Sequence, residues 1–121
     1  MTRSVLIAED ELIVALDLEA IVEEAGFEVA QTCESLSCTQ EALDHGMPAC
    51  AILDVRLVDG EVYPAADRLN AAGVPIIFHS GHADEAQLRD RYPEAQFCPK
   101  PSSPWSLRDA LQRAMTQKRA E

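Results

Sequence analysis

The feature that most constrains this chain is the alternation of short, continuous apolar runs with longer amphipathic segments. Most of the runs are apolar throughout instead of at every second position, which is typical of strands that are covered on both faces. The predicted strands are Ser4–Ala8 and residues 27–32, 51–53, 74–79 and 95–98.

Between these strands, apolar residues recur at the three- and four-residue spacing of a helix. In the first such segment the apolar stripe ends at Ala25, and Gly26 provides the C-terminal stop. The predicted helices are 11–25, a short one through Leu43 that Ser37 or Thr39 would cap, 63–72, 83–91 and 104–118. Strands that alternate with helices in this way predict a three-layer α/β domain with a parallel sheet and right-handed crossovers.

Size and charge narrow the function classes. With 121 residues, the chain has the usual size of one domain, so residues 1–121 are predicted to form a single domain. A formal net charge of −11 argues against a nucleic-acid partner, because phosphate binding depends mainly on Lys and Arg. The sequence has no apolar run of about 20 residues and no signal-peptide h-region at its start. We therefore expect no membrane partner and predict the cytoplasm.

The four cysteines form no C-x-x-C pair. Cys50 and Cys98 fall within apolar strands, where a buried free thiol is a better explanation than a metal or redox role. For Cys33 and Cys38 the pattern leaves the role open.

Polar residues follow four of the predicted strands at the point where each strand ends. They are Glu9 and Asp10 after the first, Asp54 after the third, Ser80 and Gly81 after the fourth, and Lys100 with Pro101 after the fifth. Because ligands of parallel sheets bind at the carboxyl ends of the strands, these side chains are expected to converge. Three carboxylates in contact need charge compensation, and Mg²⁺ commonly binds carboxylates together with phosphate oxygens. The lysine and the hydroxyl can then contact a phosphoryl group.

In this combination and order the residues resemble a response-regulator receiver domain of two-component signalling, and the resemblance covers the whole chain. It implies a flavodoxin-like (βα)5 fold with strand order 2-1-3-4-5. It also implies Asp54 as the phosphoacceptor, Ser80 as the switch hydroxyl and Lys100 as the cation that pairs with the phosphoryl group. The implied Mg²⁺ ligands are Glu9, Asp10, Asp54 and the main-chain carbonyl of Arg56.

The same resemblance implies the partners and the switch. A sensor histidine kinase or a histidine phosphotransferase would donate the phosphoryl group, the domain would catalyse only its own phosphorylation and dephosphorylation, and an unknown output protein would bind the switched form. Phe97, three residues before Lys100, occupies the aromatic switch position. Lacking a hydroxyl, it can rotate inward but cannot donate a hydrogen bond.

The loop after Asp54 departs from many receivers. Val58 stands where they have proline, and Asp59 with Gly60 arrives early. Together with residues 63–67 (YPAAD) and 78–82 (FHSGH), these features resemble the single-domain FAT GUY subgroup. The motif of that subgroup is matched only in part, because His79 and Ser80 replace its Ala and Thr and His82 stands where Tyr is common. The sequence does not distinguish a stand-alone receiver from a piece of a longer protein.

Other functions remain open at this point. A haloacid-dehalogenase-like phosphatase also uses a strand-end Asp, but it needs a second acid two residues later, where Arg56 stands. A receiver-like module could also bind partners without phosphorylation. The acids that follow the first strand could be only the favourable first turn of a helix.

The first helix carries more apolar residues than its core-facing stripe requires. The additional ones are Leu12, Ile13 and Leu16. They are candidates for a patch where the phosphodonor docks, and extra core packing or a homodimer contact would explain them equally well.

Overall fold

The computed structural model describes residues 3–116, apart from the side chain of His82. Its strands are β1 (Ser4–Ala8), β2 (Glu28–Cys33), β3 (Cys50–Leu53), β4 (Arg56–Leu57), β5 (Gly60–Glu61), β6 (Ile76–Ser80) and β7 (Gln96–Pro99). Its α-helices are α1 (Leu12–Glu24), α2 (Leu36–Asp44), α3 (Tyr63–Ala71), α4 (Glu85–Arg91) and α5 (Pro104–Thr116), and a 3₁₀ turn at His82–Asp84 precedes α4. The predicted end of the last helix, near residue 118, lies outside the described residues.

The five longer strands form one parallel sheet in the order β2-β1-β3-β6-β7. Counting only these strands, the order is the predicted 2-1-3-4-5, and the flavodoxin-like fold is confirmed. The register aligns Ala8 with Leu53, Leu53 with Phe78 and Ser80 with Pro99. The carboxyl ends of the strands therefore meet at one edge, and the residues that follow them lie side by side.

Each face of the sheet has its own apolar core, because successive side chains of a strand point to opposite faces. On one face Leu6, Leu53 and Phe78 pack with residues of α2, α3 and α4. On the other face Ile7 and Ile77 pack with α1 and α5. Two helical layers thus cover the sheet, which explains why its central strands are apolar throughout. None of the described helices has the length and apolar character needed to cross a membrane.

The predicted cap of the second helix was wrong. Helix α2 begins earlier, and Ser35 is its N-cap: the Ser35 backbone is extended and its Oγ accepts a hydrogen bond from the amide of Cys38 at 3.0 Å. Thr39 lies inside the helix, where its hydroxyl donates to the Ser35 carbonyl at 2.8 Å. A serine at the boundary between a strand and a helix was therefore the better signal.

The segment after Asp54 contains a small hairpin that the apolar pattern did not predict. Strands β4 and β5 pair antiparallel, with Arg56 opposite Glu61. Asp59 lies in the connecting turn, and its carboxylate accepts hydrogen bonds from the amides of Leu36 at 2.5 Å and Ser37 at 3.1 Å. The early Asp59-Gly60 pair therefore ties this hairpin to the start of α2.

The cysteines separate into two classes. Cys50 and Cys98 are buried free thiols, as predicted. Cys33 and Cys38, whose role the sequence left open, form a disulfide that links the end of β2 to the first turn of α2.

Candidate functional site

Asp54 occupies the centre of the carboxyl edge, directly after β3, and is 8% exposed. Its amide donates a hydrogen bond to the carbonyl of Ala8 at 2.8 Å, which continues the pairing of β3 with β1 beyond the strand end. The backbone at Asp54 is therefore held by the sheet, and the carboxylate is directed into the space between neighbouring strand ends.

Lys100 supplies the cation of the site. The ammonium nitrogen lies 2.8 Å from Oδ2 of Asp54 and 3.0 Å from Oε1 of Glu9, with Glu11 farther away at 3.5 Å. The amide of Lys100 donates to the Ser80 carbonyl at 2.8 Å, so the residue after β7 is anchored to the end of β6. Burial alone would lower the pKa of the ammonium group, but its hydrogen bonds to Asp54 and Glu9 outweigh burial and raise that pKa.

Glu9 is a carboxylate in an unfavourable environment. It is 2% exposed, and burial raises the pKa of its carboxyl to about 7 although the hydrogen bond from Lys100 acts in the opposite direction. Lys100 donates a hydrogen bond to Oε2 at 3.2 Å, whereas Oε1 is near the ammonium group but has no hydrogen-bond partner. The geometry leaves one buried carboxylate oxygen incompletely satisfied.

Glu9, Asp10 and Asp54 together fit a divalent cation. Each offers a carboxylate oxygen, and these oxygens all lie within 4.8 Å of one another. Asp10 is exposed, whereas the other two are buried, so the group is open to solvent on one side. A hard, oxygen-binding cation suits this donor set and would satisfy the unpartnered oxygen of Glu9.

Ser80 contacts the carboxylate oxygen of Asp54 that Lys100 does not contact. Its hydroxyl is 3.2 Å from Oδ1 of Asp54 and 3.3 Å from Oδ2 of Asp84. The guanidinium group of Arg56 makes two hydrogen bonds to Asp84, at 2.9 and 3.2 Å.

Asp84 is a site residue that the sequence analysis missed. An acid at the predicted start of a helix is ordinarily explained by the helix dipole, so Asp84 gave no reason to predict a role in the site. Its spacing of four residues from Ser80 was the available signal, since the 3₁₀ turn brings its carboxylate back to Ser80.

The structure thus brings Glu9, Asp10, Asp54, Ser80 and Lys100 together, as the sequence predicted. Their chemical roles stay predictions. The side chain of Arg56 forms hydrogen bonds to Asp84, and these chiefly raise the pKa of the Arg56 guanidinium group.

Phe97 lies on β7, away from this cluster. It is half-buried against the core that contains Phe78, and the guanidinium carbon of Arg89 is 5.8 Å from the centre of its ring. Its role as a switch stays a prediction.

The apolar residues at the start of α1 are exposed, which decides one of the open alternatives. Leu12, Ile13 and Leu16 are 72%, 76% and 54% exposed. Core packing is therefore the wrong explanation for them, whereas a docking patch or a homodimer contact remains available.

His79 lies on the face of the sheet that α1 and α5 cover. It is buried, and its Nε2 is 2.9 Å from Oγ of Ser102 while Nδ1 has no partner. Burial, followed by the charge of Lys100, lowers the pKa of the imidazole, and Asp54 opposes this effect.

The known proteins that are similar to this chain are response regulators. No family model matches the chain. It is 28% identical over 118 residues to the phyllosphere-induced regulator PhyR of Methylorubrum extorquens, with 95% of the chain and 44% of the relative covered. The chain therefore spans less than half the length of this relative.

Several solved structures resemble nearly the whole chain. A response regulator receiver protein from Sinorhizobium medicae is 26% identical with a TM-score of 0.83, and 94% of each chain is covered. The receiver (REC) domain of the response regulator PhyR from Erythrobacter litoralis is 24% identical with a TM-score of 0.85, covering 99% of this chain and 97% of that one. These likenesses do not confirm the narrower resemblance to the FAT GUY subgroup.

Proposed function

We propose that this chain, which has the fold of a response-regulator receiver domain, accepts a phosphoryl group on Asp54 from a phosphohistidine on a partner protein. The observation that carries the proposal is the environment of this one carboxylate. One of its oxygens contacts the ammonium group of Lys100 and the other contacts the hydroxyl of Ser80, while Glu9 and Asp10 offer oxygens nearby. This arrangement suits a nucleophilic carboxylate next to groups that bind phosphoryl oxygens.

In the proposed reaction an oxygen of Asp54 attacks the phosphorus atom as the bond to the donor imidazole nitrogen breaks, giving an acyl phosphate. Lys100 offsets negative charge on the transferring group, and Ser80 donates a hydrogen bond to one of its oxygens. Glu9, Asp10, Asp54 and the main-chain carbonyl of Arg56 would hold Mg²⁺, which supplies further compensation of phosphoryl charge. Hydrolysis of the acyl phosphate by water resets the domain, so the domain acts only on its own phosphorylation state.

The acyl phosphate carries roughly −1.5 to −2 charge, in place of the single negative charge of the buried carboxylate. Movement of Ser80 toward it would displace the turn that follows β6 and allow Phe97 to rotate. The surface formed by α4, β7 and α5 would then present a changed face to an output protein. If the unphosphorylated form is favoured about 99:1, inverting the ratio requires roughly 5.5 kcal/mol of differential stabilisation.

The proposed donor is a sensor histidine kinase or a histidine phosphotransferase. The exposed residues Leu12, Ile13 and Leu16 at the start of α1 form the apolar patch that we assign to donor docking. We place this exchange in the cytoplasm. The Cys33–Cys38 disulfide is unusual for that compartment, where thiols are kept reduced.

The test is Mg²⁺-dependent labelling by a small phosphodonor such as acetyl phosphate. We expect one phosphoryl group per chain in the wild type, none in Asp54→Asn, and normal labelling in Asp90→Asn, which removes an exposed carboxylate of α4. Labelling of Asp54→Asn at the normal rate would refute the assignment.

Two other results would favour the alternative functions. A wild-type chain that is not labelled in Mg²⁺ would favour a phosphorylation-independent interaction module. Turnover of a generic phosphate ester would favour a phosphatase.

A further inference from the structure

Asp84 is a charged side chain that contacts the site. The proposed reaction gives it no role. Its side chain is 8% exposed, and its contacts are the hydroxyl of Ser80 and the guanidinium group of Arg56. Burial of a carboxylate next to a phosphoryl-accepting residue is costly, because the carboxylate repels the incoming negative charge. A site built only to accept the phosphoryl group would gain from a neutral residue at this position.

The hydroxyl of Ser80 has one proton and two carboxylate acceptors. Asp54 and Asp84 lie at 3.2 and 3.3 Å from the same Oγ, so Ser80 can donate to only one of them at a time. A phosphoryl oxygen on Asp54 would be a third acceptor, and Asp84 competes with it for the same hydrogen bond. Asp84 therefore favours the unphosphorylated arrangement of Ser80.

Arg56 determines how strongly Asp84 can oppose the phosphoryl group. Its two hydrogen bonds use both oxygens of Asp84, a charge-assisted, bidentate geometry that offsets the charge of the carboxylate. Arg56 itself is on β4 and mostly exposed, with a side-chain exposure of 65%. The pair therefore connects the hairpin after Asp54 to the turn after Ser80.

We propose that Asp84 is a positioning residue that holds Ser80 away from the phosphorylated arrangement, and that Arg56 acts through Asp84 by neutralising it. The inference rests on the proposed function, since it concerns the same Ser80 hydroxyl and the same phosphoryl group. It assigns the pair the task of setting the phosphorylated fraction and the lifetime of the acyl phosphate.

The proposal predicts opposite signs for the two single substitutions. Asp84→Ala removes the competing acceptor and its charge, so the affinity for beryllofluoride in Mg²⁺, a mimic of the phosphoryl group, should rise about three- to tenfold. Arg56→Ala leaves Asp84 uncompensated, so this affinity should fall by a similar factor. In the double variant the affinity should match that of Asp84→Ala, because Arg56 has lost the residue through which it acts.

The experiment measures beryllofluoride affinity by calorimetry, and the decay of the acyl phosphate, for the wild type and these three variants. Asp84→Asn, which keeps a hydrogen-bond acceptor for Ser80 but loses the charge, should lie between the wild type and Asp84→Ala. A merely structural role for Asp84 would instead lower affinity and folding stability together in both single variants. Urea unfolding of the same proteins measures that stability.

The outcomes separate this inference from the function on which it rests. A wild-type chain that neither accepts phosphate nor binds beryllofluoride overturns both. The second outcome is that the wild type binds beryllofluoride normally, but Arg56→Ala lowers the affinity by the same factor in the wild type and in Asp84→Ala. That result overturns only the role of Asp84.

Discussion

The two oxygens of the Asp54 carboxylate contact groups with different charge balances: Oδ2 contacts Lys100, the Lys100 side, and Oδ1 contacts Ser80, the Ser80 side. On the Lys100 side, a single ammonium group contacts Asp54, Glu9 and the more distant Glu11, so negative charge is in excess. On the Ser80 side, Asp84 and Arg56 pair one to one.

This difference separates two tasks. An excess of carboxylates with an unpartnered oxygen on Glu9 is suited to receive a cation. A balanced pair that shares the Ser80 hydroxyl is suited to control geometry without binding anything further. Lys100 is therefore expected to matter for both stability and phosphorylation, and Arg56 mainly for phosphorylation.

The largest effect is expected for Lys100→Met. This change leaves buried carboxylates without their cation, and breaking a buried ion pair by removing one partner costs about 3–5 kcal/mol. Because the Lys100 side chain is 23% exposed, we expect the lower end, about 3 kcal/mol. Labelling by acetyl phosphate should fall by about 100-fold or more, since a charge that stabilises the transferring group is lost. Urea unfolding without metal, and labelling with Mg²⁺, measure the two effects.

Arg56→Met is the matched control, because it also removes a cation from a carboxylate at the site. Its stability should stay much closer to that of the wild type, since the guanidinium group is mostly exposed. Equal losses of stability in the two variants would remove the distinction between the two sides.

The Lys100 side and Ser80 itself could be predicted from the sequence because these residues lie at the ends of strands or directly after them. Parallel strands bring their carboxyl ends to one edge, so Asp54, Ser80 and Lys100 needed only the correct strand assignments and order. Glu9 and Asp10 followed for the same reason. Their burial and relative positions depend on packing and could not be derived in this way.

The contacts of Asp84 with Ser80 and with Arg56 could not be predicted, because they depend on the conformations of loops. Asp84 reaches Ser80 through a 3₁₀ turn where the pattern favoured the start of a helix, and Arg56 reaches Asp84 from a hairpin of two-residue strands. Such short elements have no hydrophobic period to detect. Ser35 is a different case, because a serine at the boundary between β2 and α2 is itself a capping signal, whereas the prediction placed the cap at Ser37 or Thr39.

An intermediate effect is expected for Leu16→Lys, which tests whether the donor approaches from the Lys100 side. Leu16 is exposed on α1, so the free energy of unfolding should change by no more than about 0.5 kcal/mol. Phosphotransfer from a cognate histidine phosphotransferase should slow by about tenfold, because a charge enters the apolar patch. Labelling by acetyl phosphate should be unchanged, since it needs no docking surface.

Ala86→Lys is the control on the opposite side of the site. Ala86 is exposed on α4, and the substitution adds the same charge. Phosphotransfer from the protein donor should stay normal in this variant. Equal slowing by both lysines would indicate a general charge effect, and normal phosphotransfer in Leu16→Lys would exclude the patch as a docking site.

The smallest effect concerns His79, which is buried on the face of the sheet covered by α1 and α5. Because burial and Lys100 lower the pKa of this imidazole in the folded state, the unfolded chain binds a proton more readily as pH falls below about 6.5. The contribution of His79 to stability is therefore present above that pH and lost below it, with a slope of at most about 1.4 kcal/mol per pH unit. Urea unfolding at pH 7.5 and 5.5 should show that His79→Gln loses less stability on acidification than the wild type does. Equal losses would mean that His79 accepts its proton in the folded state as readily as in the unfolded chain, so that neither burial nor Lys100 controls its charge.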